Sequence, residues 1–248
     1  MTITIPYRVW GAYEAFIEAF RTAAEEANRS VNFDSNPLPN CFRPLESGKA
    51  MFERCIYLKG WPSRTLGTDH WSSRTLSSDK RLDIIVHALE EFTRPEWLLT
   101  KSTVYLNYLV VSNNRARLAQ SLHFDFDANA RVQHPHPLFH VQLHLELVRF
   151  SADELRSMGF DAEVDVPRDP NECWVTTRIP TPDMTLPSVL YCLVADHLDA
   201  SIFKDFSDDV YSILRDRLPP PNFDSVKESL RTSPDHFKSS HWFAYLFN

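Results

Sequence analysis

The chain has 248 residues, 33 acidic against 26 basic, for a net charge of −7. This balance argues against a broad nucleic-acid-binding surface, and no run of about 18 uncharged apolar residues is present to span a membrane. A hydrophobic fraction of 43% and an aromatic fraction of 12% supply a sizeable core and argue against disorder.

Only five glycines occur, where ordinary usage would give about 17. None of GxGxxG, GxxxxGK[ST] or GxSxG can be written from them. Dinucleotide-binding folds, P-loop NTPases and α/β-hydrolases are therefore disfavoured, because their phosphate cradles and nucleophile elbows need backbone that glycine supplies. Cys41, Cys55, Cys173 and Cys192 are scattered and form no CxxC pair, which speaks against a zinc knuckle or a disulfide framework. The first residues lack a basic stretch followed by an apolar run, so the expected setting is cytoplasmic with reduced thiols.

Residues 8–28 predict an amphipathic helix, with Trp10, Tyr13, Phe16, Ile17 and Phe20 on one face. Pro37, Pro39 and Pro44 interrupt regular structure, and the apolar segment from Ala50 to Leu58 fits either element type. A near-duplicate of period ten follows, running from Trp61 to Asp69 and again from Trp71 to Asp79. Its Ser/Thr-rich composition predicts an exposed loop or long hairpin. Residues 80–93 read as a helix with Leu82, Ile85, Ala88, Leu89 and Phe92 inward.

From there the period changes to two, and Thr103–Val111, Ser121–Asp127 and Phe139–Val148 predict strands, with a turn at Ser112-Asn113-Asn114. Ser151 to Glu154 is a capping box that opens a short helix ending at Gly159. Glu172–Arg178 predicts a fourth strand, closed by Pro180-Thr-Pro182. Leu186–Leu198 predicts a helix with Pro187 in its first turn and Val189, Leu190, Leu193, Val194 and His197 on one face. Further helices are expected near 203–217, 223–231 and 234–246. The sum is an α+β chain in which a central antiparallel β-meander is flanked by N-terminal and C-terminal helices. A single domain over 1–248 is expected, with the sheet core at about 100–180 and a helical part at about 184–248.

The concentrated chemistry lies between His123 and Glu146. Alternation along a strand puts His123, Asp125 and Asp127 on one face, and His140, Gln142, His144 and Glu146 on one face of the next. His134 and His136 stand in the connection, so five of ten histidines fall within 22 residues. Imidazole and carboxylate are the usual ligands of a divalent ion such as zinc or manganese. His123, Asp125, His140 and His144 are the candidate ligands, with Asp127 or Glu146 as candidate catalytic base. Residues four apart on a strand are separated by about 13 Å, so any shared ion requires the two strands to be neighbours. The plainer reading of the same residues is the solvated face of an antiparallel sheet.

In the tandem segment, Trp61, Arg64, Trp71 and Arg74 interleave aromatic and basic side chains in a way that suits stacking on unpaired bases. The plainer reading there is a duplication tolerated by a loop. Cys192 is expected to be a core thiol, His197 a partly buried helical histidine, and the apolar SSHWFAYLF at the C-terminus packed on the core.

The segments HFDFD, HPHP with His140, and RIPTP at 178–182 resemble a group of uncharacterised bacterial proteins with a D-x-D … HP … H … RIP pattern. The resemblance covers roughly residues 105–198, and His136 and the tandem tryptophan segment depart from it. It implies a bacterial or mobile-element origin and a place in a multi-gene defence module, without an activity. The expected function is an accessory or effector component acting through another protein of the same system, with His134, His136 and the tandem segment as binding residues. Nucleic acid at the Trp/Arg segment is the further partner considered, and no membrane partner is expected. The alternative is a metal-dependent hydrolase or nuclease using the His/Asp sheet face.

Overall fold

The structure, a computed structural model, describes residues 7–34, 41–45, 48–62, 80–94, 97–127, 139–144, 152–165, 178–180 and 185–217. Helix α1 (Tyr7–Glu26) is followed by strands β1 (Ser30–Phe33), β2 (Phe42–Pro44), β3 (Lys49–Trp61), β4 (Arg81–Thr93), β5 (Leu98–Ser112), β6 (Arg115–Asp127) and β7 (Phe139–His144). Helix α2 (Ala152–Ser157), β8 (Glu163–Asp165), β9 (Arg178–Pro180), α3 (Leu186–His197) and α4 (Ala200–Arg217) complete the order. The strands form one nine-stranded sheet in the order β1-β3-β4-β5-β6-β7-β9, with β2 also on β3 and β8 on β6. All pairings are antiparallel except β8 with β6. The fold is α+β with a central antiparallel meander, and its sheet begins well before residue 100. None of the described helices is long and apolar enough to cross a membrane.

Residues 80–93 are strand β4, a correction of the helix read from the sequence. The apolar residues of this stretch satisfy both periods, and β-branched Ile84, Ile85 and Val86 favour the strand. Pairing with β3 and β5 over its whole length settles the choice, since Ile84, Ile85, Val86 and Ala88 are all fully buried. A central strand covered on both faces shows no polar alternation to read. The ambiguous segment at 50–58 is the core of β3 for the same reason.

Helices α1, α3 and α4 lie on one face. Tyr13, Phe16, Ile17 and Phe20 of α1 pack on Phe52, Ile56, Leu58, Ile84 and Val86, together with Leu190, Leu193 and Val194 of α3 and Phe206 of α4. Phe20 is stacked on Trp61 at 5.7 Å. Trp61, expected in the tandem loop, is therefore the last residue of β3 and 2% exposed, a core side chain with no surface to offer a ligand. Arg64, Trp71 and Arg74 lie outside the described residues, as do the helices expected at 223–231 and 234–246 and most of the strand expected at 172–178.

The opposite face is divided. At one end Tyr57, Ile85, Leu109, Val111 and Leu118 form a second apolar cluster, closed by Leu155 of α2 and by Met158 and Phe160 just after it. Gly159, at φ +84, ends that helix in the left-handed conformation. Asn113 and Asn114, both at positive φ, make the two-residue turn between β5 and β6, as their sequence predicts.

His197 lies at the helix–sheet boundary, with Nδ1 2.8 Å from the Pro62 carbonyl oxygen and its ring 5.8 Å from that of Tyr108. Burial pushes its imidazole below the ordinary value, against the opposing pull of Pro62 and Asp196. The folded state thus favours the neutral ring while the unfolded chain protonates near pH 6.5. The resulting stability is complete above that pH and is lost as pH falls below it towards the lowered folded value. Melting temperatures between pH 7.5 and 5.5 should fall more steeply for the wild type than for His197→Gln. Equal slopes would contradict the assignment.

Candidate functional site

β6 and β7 are neighbours, the condition on which the site read from the sequence depended. Their register sets His123 opposite Gln142, Asp125 opposite His140 and Ser121 opposite His144. The register continues outward, with Gln142 opposite Arg178 and His140 opposite Pro180 on β9. It continues inward as well, with His123 opposite Tyr105 and Tyr105 opposite His87. His87, Tyr105, His123, Gln142 and Arg178 therefore occupy one line across five consecutive strands. Thr103, Asp125, His140 and Pro180 occupy the next.

The described side chains of these lines are in contact. The Tyr105 ring is stacked on His123 at 4.4 Å and 15°, and on His87 at 6.1 Å and 20°. Each histidine presents Nε2 to a carboxylate: His123 to Asp125 Oδ1 at 3.0 Å, and His87 to Glu53 Oε1 at 3.3 Å. The Thr103 hydroxyl donates to the same Asp125 oxygen at 2.8 Å. Carboxylates placed beside imidazole nitrogens fix ring orientation.

This end of the sheet is not an open polar surface. His87 is 8% exposed and Tyr105 7%, while the His123 side chain retains 13%. Beside them on β5, Asn107 is fully buried; its Oδ1 accepts from Ser121, and its Nδ2 finds no partner among the described residues. An orphaned buried donor of this kind costs about 1–3 kcal/mol, and its retention calls for an explanation. Of the residues in the solvated-face reading whose side chains are described, His123 and Asp125 keep 13% and 27% of their side-chain exposure.

Among the expected ligands, His123 and Asp125 are brought together. His140 and His144 are placed on β7 four residues apart, about 13 Å at the usual rise, so they flank different ends of the patch. Asp127 ends β6, register-paired with Lys101. His134, His136 and Glu146 lie outside the described residues. No group of three His, Cys, Asp or Glu side chains suited to a metal occurs among the described residues.

Sequence reading missed His87, Tyr105 and Arg178. His87 was hidden by the helical reading of β4, and Tyr105 by the apolar composition of β5. The signal that could have found them is register. Once the Asn-Asn turn is fixed, counting back along β5 sets Tyr105 opposite His123.

The helix face carries a different feature, an apolar groove of about 780 Å³ between α1, α3 and α4, lined among others by Trp97, Tyr191, Cys192 and Val210. Cys192 is exposed there, which corrects the expectation of a core thiol. Comparison of the chain with protein-family models, with curated proteins and with solved structures finds no match.

Proposed function

We propose that the chain works by binding, as an accessory or effector component of a bacterial multi-protein system, and that its recognition site is the polar end of the sheet. The observation that supports this is the meeting of the three polar motifs. HFDFD, the segment holding His140, and RIP, the last more than 30 residues beyond the others, form three adjacent strands, β6, β7 and β9, in register. A surface-loop origin for those motifs would leave no reason for them to align. The enclosed Tyr105–His123–Asp125 corner also favours a site that receives a specific group over a flat, wet contact.

The test is co-elution on size exclusion of the purified chain with the protein products encoded beside it. One of them should co-elute with the wild type and be lost with a His123→Ala, Asp125→Ala variant that melts normally. A chain that elutes alone with every such protein would overturn the reading.

The second reading, a metal-dependent hydrolase, is favoured by the 3.0 Å His123–Asp125 contact and by the placement of His140 opposite Asp125. These residues have the chemistry to hold zinc or manganese, which would polarise a substrate oxygen or activate water. Elemental analysis of untagged protein decides it. Near-stoichiometric metal that is lost in the Asp125→Ala variant would place the hydrolase reading first.

A further inference from the structure

We propose that the groove between α1, α3 and α4 is a binding site for an uncharged small molecule built on aromatic rings. It lies on the helix face of the sheet, so the inference goes beyond the polar recognition site and does not rest on it.

The lining decides the chemistry. Tyr13, Phe16, Phe92, Trp97, Tyr191 and Tyr211 bring aromatic rings to the groove from the helices and from the β4–β5 end of the sheet. No Lys, Arg, Asp or Glu is among the described lining residues, so no opposite charge there offsets the cost of taking an ion out of water. The polar side chains are few and mostly engaged. Tyr13 donates its hydroxyl to Glu90, which leaves its ring for the groove. The Thr185 and Ser188 hydroxyls lie 3.1 Å apart. Ser207 donates to the Phe203 carbonyl at 2.7 Å, so the Tyr191 hydroxyl, 3.1 Å from Ser207, is the donor of that pair. These hydroxyl oxygens keep acceptor capacity, which suits a ligand with one donor among its rings. The volume of about 780 Å³ lies within the range of about 300–1,000 Å³ that holds drug-sized ligands.

The backbone supplies the second half of the argument. Trp97, just before β5, has φ +58, the left-handed conformation. Asparagine takes such a backbone readily, as Asn113 and Asn114 do in the next hairpin. A bulky tryptophan there is strained and persists only where its surroundings hold it. Arg94 helps to do so, with its guanidinium carbon 5.0 Å from the ring centre. Strain of this kind gathers at ligand clamps, and here it sets an indole ring in the wall of the groove. Cys192 and Tyr211 are exposed at the same groove, so a ligand has access to it.

Fluorescence titration of the full chain with N-phenylnaphthylamine, an uncharged aromatic amine, measures this directly. The probe should bind saturably, one per chain. At saturation it should slow iodoacetamide labelling of Cys192 at least fivefold in mildly alkaline buffer, read by mass spectrometry. Its sulfonated analogue, anilinonaphthalene sulfonate, should bind at least tenfold more weakly, because the added charge meets no partner in the groove. Trp97→Gly should weaken binding of the uncharged probe at least tenfold. Cys192→Trp, which fills the groove from an exposed position, should abolish binding in a chain that melts normally, and it carries the test if Trp97→Gly does not fold. Leu45→Ala, which removes an exposed apolar side chain off the groove, should have no effect. Absence of saturable binding, equal affinity for the sulfonate, or undiminished binding by Cys192→Trp overturns the proposal. So does a Cys192 that resists labelling in the free chain: protection independent of concentration assigns the groove to a segment of this chain, and protection lost on dilution assigns it to a second copy. Co-elution with a partner through the polar end is a separate readout, untouched by either result.

Discussion

Glu90→Ala should destabilise the protein by about 3–5 kcal/mol in urea unfolding, one of the two largest losses from any single polar truncation. Glu90 is 1% exposed at the junction of the sheet with α1 and α3. Its Oε2 accepts from the Tyr13 hydroxyl at 2.6 Å; its Oε1 accepts from the Leu186 amide at 2.8 Å and the Ser102 hydroxyl at 3.3 Å. The carboxylate thus ties β4 to α1, β5 and the first residue of α3. It lies at that helix's N-terminus, where a negative charge also meets the positive end of the helix dipole. Thr185 caps the same end, accepting from the Ser188 amide. Truncation removes the acceptor of three buried donors, each lost bond costing up to about 1–3 kcal/mol, partly relieved where water reaches the new space. Tyr13→Phe removes one donor and should cost only about 0.5–1.5 kcal/mol. If Glu90→Ala proved no worse than Tyr13→Phe, the carboxylate would not be the tie described.

Asp83→Ala should cost a similar amount, about 3–5 kcal/mol, for a related reason. Asp83 is fully buried and accepts from the Tyr57 hydroxyl at 2.8 Å and the Gly60 amide at 2.9 Å, with Arg81 Nε at 3.1 Å from both its oxygens. The Gly60 amide belongs to a bulge in β3 between Leu58 and Trp61, where Gly60 takes φ +65. Asp83 therefore fixes the bulge that swings Trp61 onto Phe20. Burial, then the Asp83 charge, pushes the Tyr57 hydroxyl far above its usual range, so it remains a donor at every accessible pH. Arg81 also reaches Asp161 at 2.7 Å, and Lys59 reaches it at 3.2 Å. Asp161 is half exposed, so its truncation should cost at most about 1 kcal/mol. Hydrogen bonds from Arg81 and Lys59 hold its carboxyl below the usual range, a contribution present above the ordinary carboxylate value and lost as pH falls through the lowered one. Thermal melts of the two variants side by side check the contrast, and equal losses would contradict it.

The legible parts of the fold were those where one face is wet or a turn is marked. Helix α1 was readable because its apolar stripe opposes a charged one. The β5–β6 hairpin was readable because Asn113 and Asn114 tolerate the left-handed backbone its turn requires. Helix α3 was readable from Pro187 and from the buried face of Val189, Leu190, Leu193, Val194 and His197. β4 was not, because Leu82–Phe92 is covered on both sides and its apolar residues fit a helical stripe equally well. Strand β8, three residues long and parallel to the start of β6, carries too little pattern to register at all.

The site divides in the same manner. Alternation along HFDFD put His123 and Asp125 on one face, and their 3.0 Å contact follows from that spacing. Alternation cannot tell which strands are adjacent, so the contributions of Tyr105, His87 and Arg178 depended on pairings that only the tertiary structure specifies. Nor does it report burial: the same residues would have composed a wet face had that end of the sheet been left uncovered.

The central claim, that the polar end of the sheet is the recognition site, is tested most directly by long-range proton–nitrogen spectra of the histidine rings as the co-eluting partner protein is titrated in. The His123 ring nitrogens should shift progressively with partner, while those of His197, on the helix face, stay fixed. Shifts confined to His197, or spread equally over both rings, would place the contact elsewhere and contradict the account.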